Sequence, residues 1–299
     1  MNLYVLIVTY NGSKWLEKCL SSLFLSDIGF HCLVVDNAST DKTKEIIHKY
    51  PQIELIESTI NYGFGKANNI GIRHALSKGA DAIFLLNQDA YVFPDTLRHL
   101  VNNLKSDSII SPLHYAGNSK DLDFGFLKYA QKYVPELLTD LGKNNCATTY
   151  ETNFVNAAAW MLPKELIEQV GAFEPLFDHY GEDENYVQRV HFHKCRIQIV
   201  PASKVIHDRI QNSKGRKVDF RYLKTYLLVS ALNILKPENS IIELSPSYWI
   251  KFTIYAIFDL IRFNKNLAIS KFKVIKFYLD NKNTILKHRN LAKNKRYAL

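Results

Sequence analysis

The sequence is poor in cysteine and has no long apolar run. Its four cysteines show no CxxC or other metal-ligand spacing, which argues against a cysteine-based metal site and indicates buried thiols in a reducing compartment. No uncharged run reaches the ~18 residues of a membrane span. The apolar amino terminus lacks a basic leader and soon meets the turn pair Asn11-Gly12. We therefore interpret it as a core strand and not as a signal peptide.

The chain also lacks internal repeats, and no Pro/Gly/Ser-rich linker divides its 299 residues. Acidic residues become rare toward the carboxyl end. Residues 1–208 contain 19 Lys and Arg against 24 Asp and Glu, a net charge of −5, whereas residues 209–299 contain 19 against 5, a net charge of +14. We predict one globular domain over residues 1–210 and a basic helical region over residues 211–299.

Short apolar runs alternate with amphipathic segments in the first 90 residues. A helix capped by Ser13, a helix over Thr40–Tyr50 and a helix ending at Ser77 are predicted between strands. The predicted strands are Leu3–Thr9, Cys32–Val35, Ile53–Ile56 and Ala82–Leu86. This alternation predicts an α/β fold with a mostly parallel, Rossmann-like sheet that is covered by helices on both faces. Ligands of such sheets bind at the carboxyl ends of the strands.

Polar residues stand at the ends of the first two predicted strands. Asp36 can accept the imide N–H of uracil or thymine, with Thr9 and Asn11 as hydroxyl and amide partners, or it can simply cap a helix. The loop over residues 61–65 has two glycines, which would permit close approach of a ligand. The alternative is that they belong to an ordinary glycine turn. It is not a dinucleotide-binding loop, because Asn68 stands where that motif requires its last glycine.

Carboxylates and a histidine follow later strands. Asp89 comes after the fourth predicted strand, where it can bind Mg²⁺ or Mn²⁺ through oxygen. His207 lies beyond a predicted strand over Ile197–Val200 and could join such a site or be structural. Asp183 belongs to an acidic triplet at the start of a helix predicted to end near His193. The triplet has two explanations. Either the acidic side chains simply complement the positive end of the helix dipole, or the dipole keeps Asp183 ionised so that it can act as a general base.

Six strings in a fixed order resemble a known family. They are T-Y-N, D-N-A-S-T-D, N-Y-G-F-G-K-A-N-N-I-G, L-L-N-Q-D, W-M-L-P-K-E and G-E-D-E-N-Y-V-Q-R. Together they resemble the inverting family-2 glycosyltransferases of the GT-A fold, particularly the rhamnosyltransferase-like bacterial members. The resemblance covers residues 1–210.

The resemblance implies roles for particular residues. Nucleotide contacts are implied for Thr9, Tyr10, Asn11, Asp36, Asn61 and Asn68. Metal binding is implied for Asp89 and His207, and catalysis for the base Asp183 with Glu182 beside it. The segment from Asn156 to Trp160 is implied to line the donor and acceptor pocket. Arg189, on the helix of Asp183, is assigned to the same pocket, where it could orient a carboxylate, or it could be merely exposed.

Two motifs depart from the family pattern. The usual D-x-D is Asn87-Gln88-Asp89 here, so its first carboxylate is missing and the need for a metal is left open. The usual E-D-x-D is Glu182-Asp183-Glu184-Asn185, which keeps the implied base and loses the last aspartate.

The implied function is transfer of a sugar, with inversion, from a UDP- or dTDP-linked donor to a hydroxyl of a surface polysaccharide or lipid-linked glycan. Mg²⁺ or Mn²⁺ is the implied cofactor. A sugar-1-phosphate nucleotidyltransferase is an alternative, but it needs a glycine- and arginine-rich loop after the first strand, and Thr9-Tyr10-Asn11-Gly12 is not one. A non-catalytic nucleotide-sugar binding protein is the other alternative.

The carboxy-terminal region is expected to be helical. Helices are predicted over Phe220–Leu235 and Ser247–Phe263, and ten lysines and arginines beyond them face the single acid Asp280. Aromatic and basic residues mixed on helices suit an anionic membrane surface, which predicts a cytoplasmic enzyme at the inner face of the membrane. A helical cap with a solvated basic tail is the alternative. No recognition motif indicates nucleic-acid binding.

Overall fold

The computed structural model of the protein describes residues 1–209, 218–295 and 297–299. In these ranges nine strands form one sheet with α-helices around it. The strands are β1 (Leu3–Thr9), β2 (His31–Asp36), β3 (Ile53–Glu57), β4 (Ala82–Asn87), β5 (Ala90–Val92), β6 (Ser108–Ala116), β7 (Tyr150–Glu151), β8 (Ala159–Pro163) and β9 (Arg196–His207). The helices are α1 (Leu16–Leu23), α2 (Thr43–Ile47), α3 (Phe64–Ser77), α4 (Thr96–Asn102), α5 (Phe124–Tyr133), α6 (Pro135–Gly142), α7 (Lys164–Val170), α8 (Glu182–Phe192), α9 (Phe220–Ala231), α10 (Pro246–Ile261) and α11 (Lys265–Leu291).

The sheet has a parallel half and a mixed half. Its strand order is β3-β2-β1-β4-β8-β6-β9-β5, and β7 pairs with β9. Strands β3, β2, β1 and β4 run parallel, as the sequence predicts. Strand β8 runs antiparallel to β4 and β6, whereas β6 and β9 run parallel. The register pairs Thr9 with Asp36 and Val8 with Asn87, so the carboxyl ends of three strands meet at one edge.

Successive residues of the central strands pack into two apolar cores on opposite faces of the sheet. In β1, Leu3, Val5 and Ile7 pack with α1, α2 and α4. Tyr4 and Leu6 pack with α3, α7 and α8. Because both faces are covered by helices, these strands are apolar throughout rather than alternating with polar residues.

Two predicted helix starts are wrong. Ser13 does not cap α1, because Trp15 is the N-cap residue and the Ser13 N–H donates to Asp41 Oδ2 at 3.1 Å. Helix α2 begins at Thr43 and not at Thr40. The Thr40 N–H donates to a side chain of the β1 loop, which holds this segment outside the helix.

Strand β9 is longer than predicted. The sequence predicts a short strand over Ile197–Val200 followed by a connection, but β9 continues to His207 and pairs with β6 along its length. The register between β6 and β9 shifts after Pro112. Beyond this irregularity β9 continues past the apolar run over Ile197–Val200, and His207 is its last residue.

The carboxy-terminal helices pack against the α/β part of the chain. Helices α9, α10 and α11 share an apolar core with Phe177, which precedes α8. Helices α9 and α10 end within four residues of the predicted helix ends at Leu235 and Phe263. The predicted boundary between residues 210 and 211 lies outside the described residues and stays a prediction. No helix in the described ranges is both long enough and apolar enough to cross a bilayer.

Candidate active site

The side chain of Gln88 joins the carboxyl ends of β1 and β4. Its Oε1 accepts hydrogen bonds from Thr9 Oγ1 at 2.6 Å and from the Tyr10 N–H at 3.0 Å. A Cβ on Gly12 would stand 2.3 Å from the same oxygen, so a side chain at this position would displace the Gln88 amide. Thr9 is fully buried and its hydroxyl donates to Gln88, and its contact with a nucleotide stays a prediction. The Tyr10 side chain is 45% exposed at the edge of the cleft.

Asp36 ends β2 beside Thr9 and is completely buried. Its Oδ2 accepts a hydrogen bond from the Ser39 N–H at 3.1 Å. Its Oδ1 is buried and has no hydrogen-bond partner in the part of the chain that the structure describes. A buried polar atom without a partner costs about 1–3 kcal/mol. One buried carboxylate oxygen of Asp36 is therefore left without a donor among the described residues.

Asn11 connects the β1 loop to the β2 loop. Its backbone has a positive φ of 47°, and its Oδ1 accepts a hydrogen bond from the Thr40 N–H at 2.8 Å. The Asn11 N–H donates to Ser39 Oγ at 2.9 Å. Asn11 was predicted to touch the nucleotide, and the structure shows it bracing the loop that holds Asp36.

A second asparagine pair shapes the loop before α3. Asn37 Nδ2 donates to Asn61 Oδ1 at 2.8 Å, and Asn37 Oδ1 accepts from the Tyr62 N–H at 2.8 Å. Gly63 follows with a φ of 79°, and a Cβ there would stand 1.9 Å from the Asp178 carbonyl oxygen. The sequence suggested that this glycine permits close approach of a ligand. In the structure, glycine is required by the close approach of the Asp178 backbone. Asn37 was not predicted, since its partner lies 24 residues away.

Helices α3 and α8 begin side by side. A Cβ on Gly65 would stand 3.6 Å from Glu182 Cβ, so the two positive helix ends lie next to each other. Asn68, predicted to bind nucleotide, is 2% exposed and donates to the Phe64 carbonyl oxygen at 2.9 Å. Glu182 is 5% exposed between the two helices.

Asp183 lies in the first turn of α8 and is half-buried. Its Oδ1 accepts a hydrogen bond from the Glu184 N–H at 2.9 Å. Burial, with the nearby carboxylates Asp183 and Glu184, raises the pKa of Tyr129 to about 12. Tyr129, Phe154 and Glu184 line a groove of about 530 Å³ next to the predicted base. Asp183 itself is not among the residues that line the groove.

Asp89 and His207 are brought together by strand pairing. Residue Ala90 of β5 pairs with His207 of β9, which places His207 Nε2 3.5 Å from Asp89 Oδ1. The His207 side chain is 4% exposed and that of Asp89 is 21% exposed. The described residues contain no cluster of three or more His, Cys, Asp and Glu side chains that could hold a metal ion. The pair therefore offers one oxygen and one nitrogen ligand, and a cation held here would need its other ligands from substrate and water.

A second buried histidine lies behind this pair. His114 is completely buried, its ring stacks on Phe126 at 5.3 Å, and its ring centroid lies 6.3 Å from that of His207. Burial lowers the pKa of His114 to about 3, and His207 adds to the effect. The amide of Asn156 lies beside it and opposes the shift. Asn156, predicted to line the sugar pocket, is 8% exposed and belongs to this buried group.

Trp160 and Arg189 do not line the cleft, contrary to the prediction. Trp160 is 0% exposed and packs against Phe173 and Tyr186. Arg189 is also 0% exposed, and its guanidinium donates to the carbonyl oxygens of residues 170 and 172 at 2.9 and 2.7 Å. Arg189 thus supports the turn that follows α7, and it does not line the groove.

Arg209 is a charged residue of this region that sequence reasoning missed. It forms a two-point ion pair with the buried Asp123, with N···O distances of 2.6 and 3.0 Å. Burial alone would raise the pKa of Asp123, but hydrogen bonds from Arg209 and the Phe126 N–H outweigh it and lower the pKa. The only signal in the sequence is its place two residues after His207.

The sequence profile of Glycosyl transferase family 2 matches residues 4–171, which contain Asp36 and Asp89. The chain belongs to glycosyl transferase family 2. Among its relatives, the dTDP-rhamnosyl transferase RfbF of Shigella flexneri is 26% identical over 211 residues, which are 69% of each chain. An N-acetylglucosaminyl-diphospho-decaprenol L-rhamnosyltransferase of Mycobacterium tuberculosis is 25% identical over 71% of this chain and 77% of its own.

Solved structures agree with the fold of a family-2 enzyme. S. aureus TarS 1-349 in complex with UDP-GlcNAc matches with a TM-score of 0.58 at 19% identity, over 80% of this chain and 69% of its own. GalNAc-T7 with UDP, GalNAc and Mn²⁺ matches with a TM-score of 0.60 at 16% identity, over 77% of this chain and 48% of its own. The predicted GT-A fold is confirmed. The predicted enzyme class, a nucleotide-sugar glycosyltransferase, is confirmed by the family.

Proposed function

We propose that this glycosyltransferase uses a UDP- or dTDP-linked donor and transfers its sugar to a glycan or lipid-linked glycan hydroxyl with inversion. The buried Oδ1 of Asp36 carries the proposal, since it has no hydrogen-bond partner in the described ranges. Uracil and thymine both present an imide N–H that would satisfy this oxygen. The adenine base has no such N–H, so adenine nucleotides are expected to bind poorly.

Nucleotide binding by the variant Asp36→Asn tests the proposal. The amide keeps the size of the side chain, and with its NH₂ group toward the base it turns an acceptor into a donor. We expect wild-type protein to bind UDP or dTDP well above ADP, and the variant to lose that preference, measured by calorimetry. Equal binding of ADP and the pyrimidine nucleotides by wild-type protein would refute the role of Asp36.

The proposed reaction is a direct displacement at the anomeric carbon. The acceptor oxygen forms the new C–O bond while the bond from that carbon to the diphosphate oxygen breaks, and Asp183 takes the proton of the acceptor hydroxyl. Attack opposite the leaving group inverts the anomeric configuration. The half-buried place of Asp183 in the first turn of α8, beside the groove, supports this role. Glu182 lies next to it, buried against α3, and would support the base.

Asp89 and His207 are the residues that would hold Mg²⁺ or Mn²⁺. Their separation of 3.5 Å and the carboxylate and imidazole ligands they offer fit a divalent cation. When bound, the cation would neutralise charge on the departing diphosphate. The structural relative GalNAc-T7 was solved with Mn²⁺, which puts Mn²⁺ first among the metals to test.

The relatives indicate which donor to test first. Two of them are named as rhamnosyltransferases, one of them for a dTDP-linked donor. The relative from M. tuberculosis is named for a lipid diphosphate acceptor. We therefore place dTDP-rhamnose first in a donor panel, with UDP-GlcNAc as the comparison. Release of free sugar from a donor would also separate an enzyme from a non-catalytic binding protein.

We further propose that the enzyme is cytoplasmic and binds the inner face of the membrane through α10. One face of α10 packs inward, with Trp249 stacked on Tyr278 at 4.3 Å. The opposite face is an apolar stripe whose side chains are 46–65% exposed. The stripe consists of Ile250, Ile254, Ile257, Phe258 and Ile261. The exposed cations Lys251, Arg262 and Lys265 flank it. An exposed apolar face beside cations is what a helix lying in the headgroup region requires.

A further inference from the structure

The groove of about 530 Å³ beside α8 has one wall that carries positive charge. That wall is α5, whose residues Lys128, Tyr129, Lys132 and Tyr133 line the groove. Helix α5 contains no acidic residue. Of the described residues that line the groove, only Glu184 is acidic. A cleft in which one sign of charge prevails attracts ligands of the opposite sign, so the groove favours an anion.

Lys128 and Lys132 lie one turn apart on α5, and both are exposed. Side chains at this spacing share a face of the helix, with Cβ atoms about 5–6 Å apart. Lys128 Nζ lies 4.4 Å from the centroid of the Phe124 ring, and Lys132 Nζ lies 4.6 Å from that of Tyr133. Neither lysine forms an ion pair with another described residue. Each ammonium has three N–H donors, and contact with one ring face leaves donors for an anion.

Aromatic side chains form an apolar surface next to the lysines. Tyr129 and Phe154 meet edge to face with ring centroids 4.7 Å apart, and both residues are half-buried. Burial, and then the carboxylate of Asp183, raises the pKa of Tyr129 to about 12, so the Tyr129 hydroxyl lies near the proposed base. Aromatic surface with a few polar groups is what sites for small ligands commonly present. A sugar ring that packs on this surface therefore lies between the lysines and the base.

We propose that the acceptor is a sugar diphosphate whose diphosphate group binds Lys128 and Lys132 while its sugar packs against Tyr129 and Phe154. The two phosphates of a diphosphate share a bridging oxygen, so their outer oxygens lie within reach of two flexible lysine side chains one turn apart. The proposal rests on the transfer reaction proposed above, with Asp183 as the base. It adds the anionic group that the acceptor has to carry and the residues that select it.

Binding of inorganic pyrophosphate to the full-length protein is the test, because it does not depend on which sugar the acceptor carries. UDP is present at saturation, so that the nucleotide site is occupied, and NMR signals of the lysine side chains follow the titration. We expect Lys128→Met/Lys132→Met to bind pyrophosphate about 10-fold or more weakly than wild-type protein, because charge-assisted hydrogen bonds to phosphate are lost. Lys128→Arg/Lys132→Arg keeps both cations and should retain the affinity.

The matched control is Lys273→Met/Lys276→Met, which removes two exposed lysines one turn apart on α11. It makes the same change in net charge and should bind pyrophosphate as wild-type protein does. Equal affinities of wild-type protein and Lys128→Met/Lys132→Met would overturn the proposal, and so would a wild-type protein that binds no pyrophosphate. Inorganic phosphate that binds as tightly as pyrophosphate would also contradict it, because one phosphate would then account for the site.

Release of free sugar from nucleotide-sugar donors, measured on the same preparations, separates this proposal from the transfer reaction. If wild-type protein releases sugar but binds no pyrophosphate at the two lysines, the diphosphate acceptor is refuted and the transfer reaction is not. If pyrophosphate binds at the lysines and no donor reacts, the anion site is supported and the proposed transfer fails.

Discussion

Tyr297 donates its hydroxyl hydrogen to the carboxylate of Glu174, which lies 123 residues earlier in the chain. His288 Nδ1 lies 2.9 Å from both Tyr297 OH and Glu174 Oε1. Gly171 lies against the backbone of Tyr297 with a φ of 90°, and a Cβ on Gly171 would stand 2.0 Å from the Tyr297 carbonyl oxygen. The end of the chain therefore holds the segment between α7 and α8, which leads to Asp183.

Tyr297→Phe should lower the free energy of unfolding by about 1–3 kcal/mol, because the buried Glu174 carboxylate loses a donor. Urea unfolding followed by circular dichroism measures the change. The matched control is Tyr255→Phe, whose ring is 59% exposed on α10, with a change within about 0.5 kcal/mol. Equal stabilities of the two variants would show that the Tyr297–Glu174 bond contributes nothing net.

Gln88 provides a second prediction. Gln88→Leu would leave the buried Thr9 hydroxyl and the Tyr10 N–H without their acceptor, so we expect lower stability and a higher KM for the donor. Gln88→Glu keeps an acceptor oxygen for both groups and should restore much of each property. Donor kinetics and urea unfolding of both variants check this. Equal behaviour of the leucine and glutamate variants would show that the hydrogen bonds to Gln88 do not position the cleft.

The parallel half of the sheet could be predicted from the sequence, and most of the pairing within the site could not. Strands β1 to β4 lie within one residue of their predicted ends. For β1, β2 and β4 the reason is that a strand buried on both faces is a continuous apolar run. The bond from Thr9 to Gln88 joins residues 79 positions apart and leaves no local pattern. The burial of Arg189 was missed for the same reason. Its acceptors are carbonyl oxygens, which every residue carries.

Asp183→Asn should keep donor binding and reduce transfer by about 10²-fold or more, which is the scale of general-base catalysis. Donor affinity and turnover are measured on the same preparation. Glu165→Gln is the matched control, since Glu165 is an exposed acid in the first turn of α7, and full activity is expected. Near-normal turnover in Asp183→Asn would remove Asp183 as the base.

Asp89→Ala should weaken metal-dependent binding of UDP while binding of uridine stays as in wild-type protein. Asp36→Ala should instead weaken binding of uridine itself. The reason is that Asp89 faces His207 at 3.5 Å, whereas Asp36 lies at the end of β2 with a free carboxylate oxygen among the described residues. Calorimetry with and without Mn²⁺ separates the two effects. Equal loss of uridine and UDP binding in Asp89→Ala would indicate misfolding, and loss of neither would remove Asp89 from the site.

The apolar stripe of α10 leads to a prediction about membranes. The protein should sediment with anionic vesicles and not with neutral ones, and salt should reverse much of the binding, because the attraction of cations fades over a Debye length of ~8 Å at physiological salt. Deleting the C-terminal helices is a poor test of this, since it would expose the core around Phe177. Point substitutions on the exposed stripe leave that core intact.

The double variant Ile254→Ser/Phe258→Ser should bind anionic vesicles more weakly than wild-type protein, since both side chains are about half exposed, at 46% and 51%, on the outer face of α10. The matched control is Leu25→Ser/Ile60→Ser, two exposed apolar residues of the α/β part, which should bind as wild-type protein does. The proposal fails if both double variants sediment equally, or if wild-type protein partitions equally to neutral and anionic vesicles. In either case α10 would be a structural cap or a surface that binds another protein.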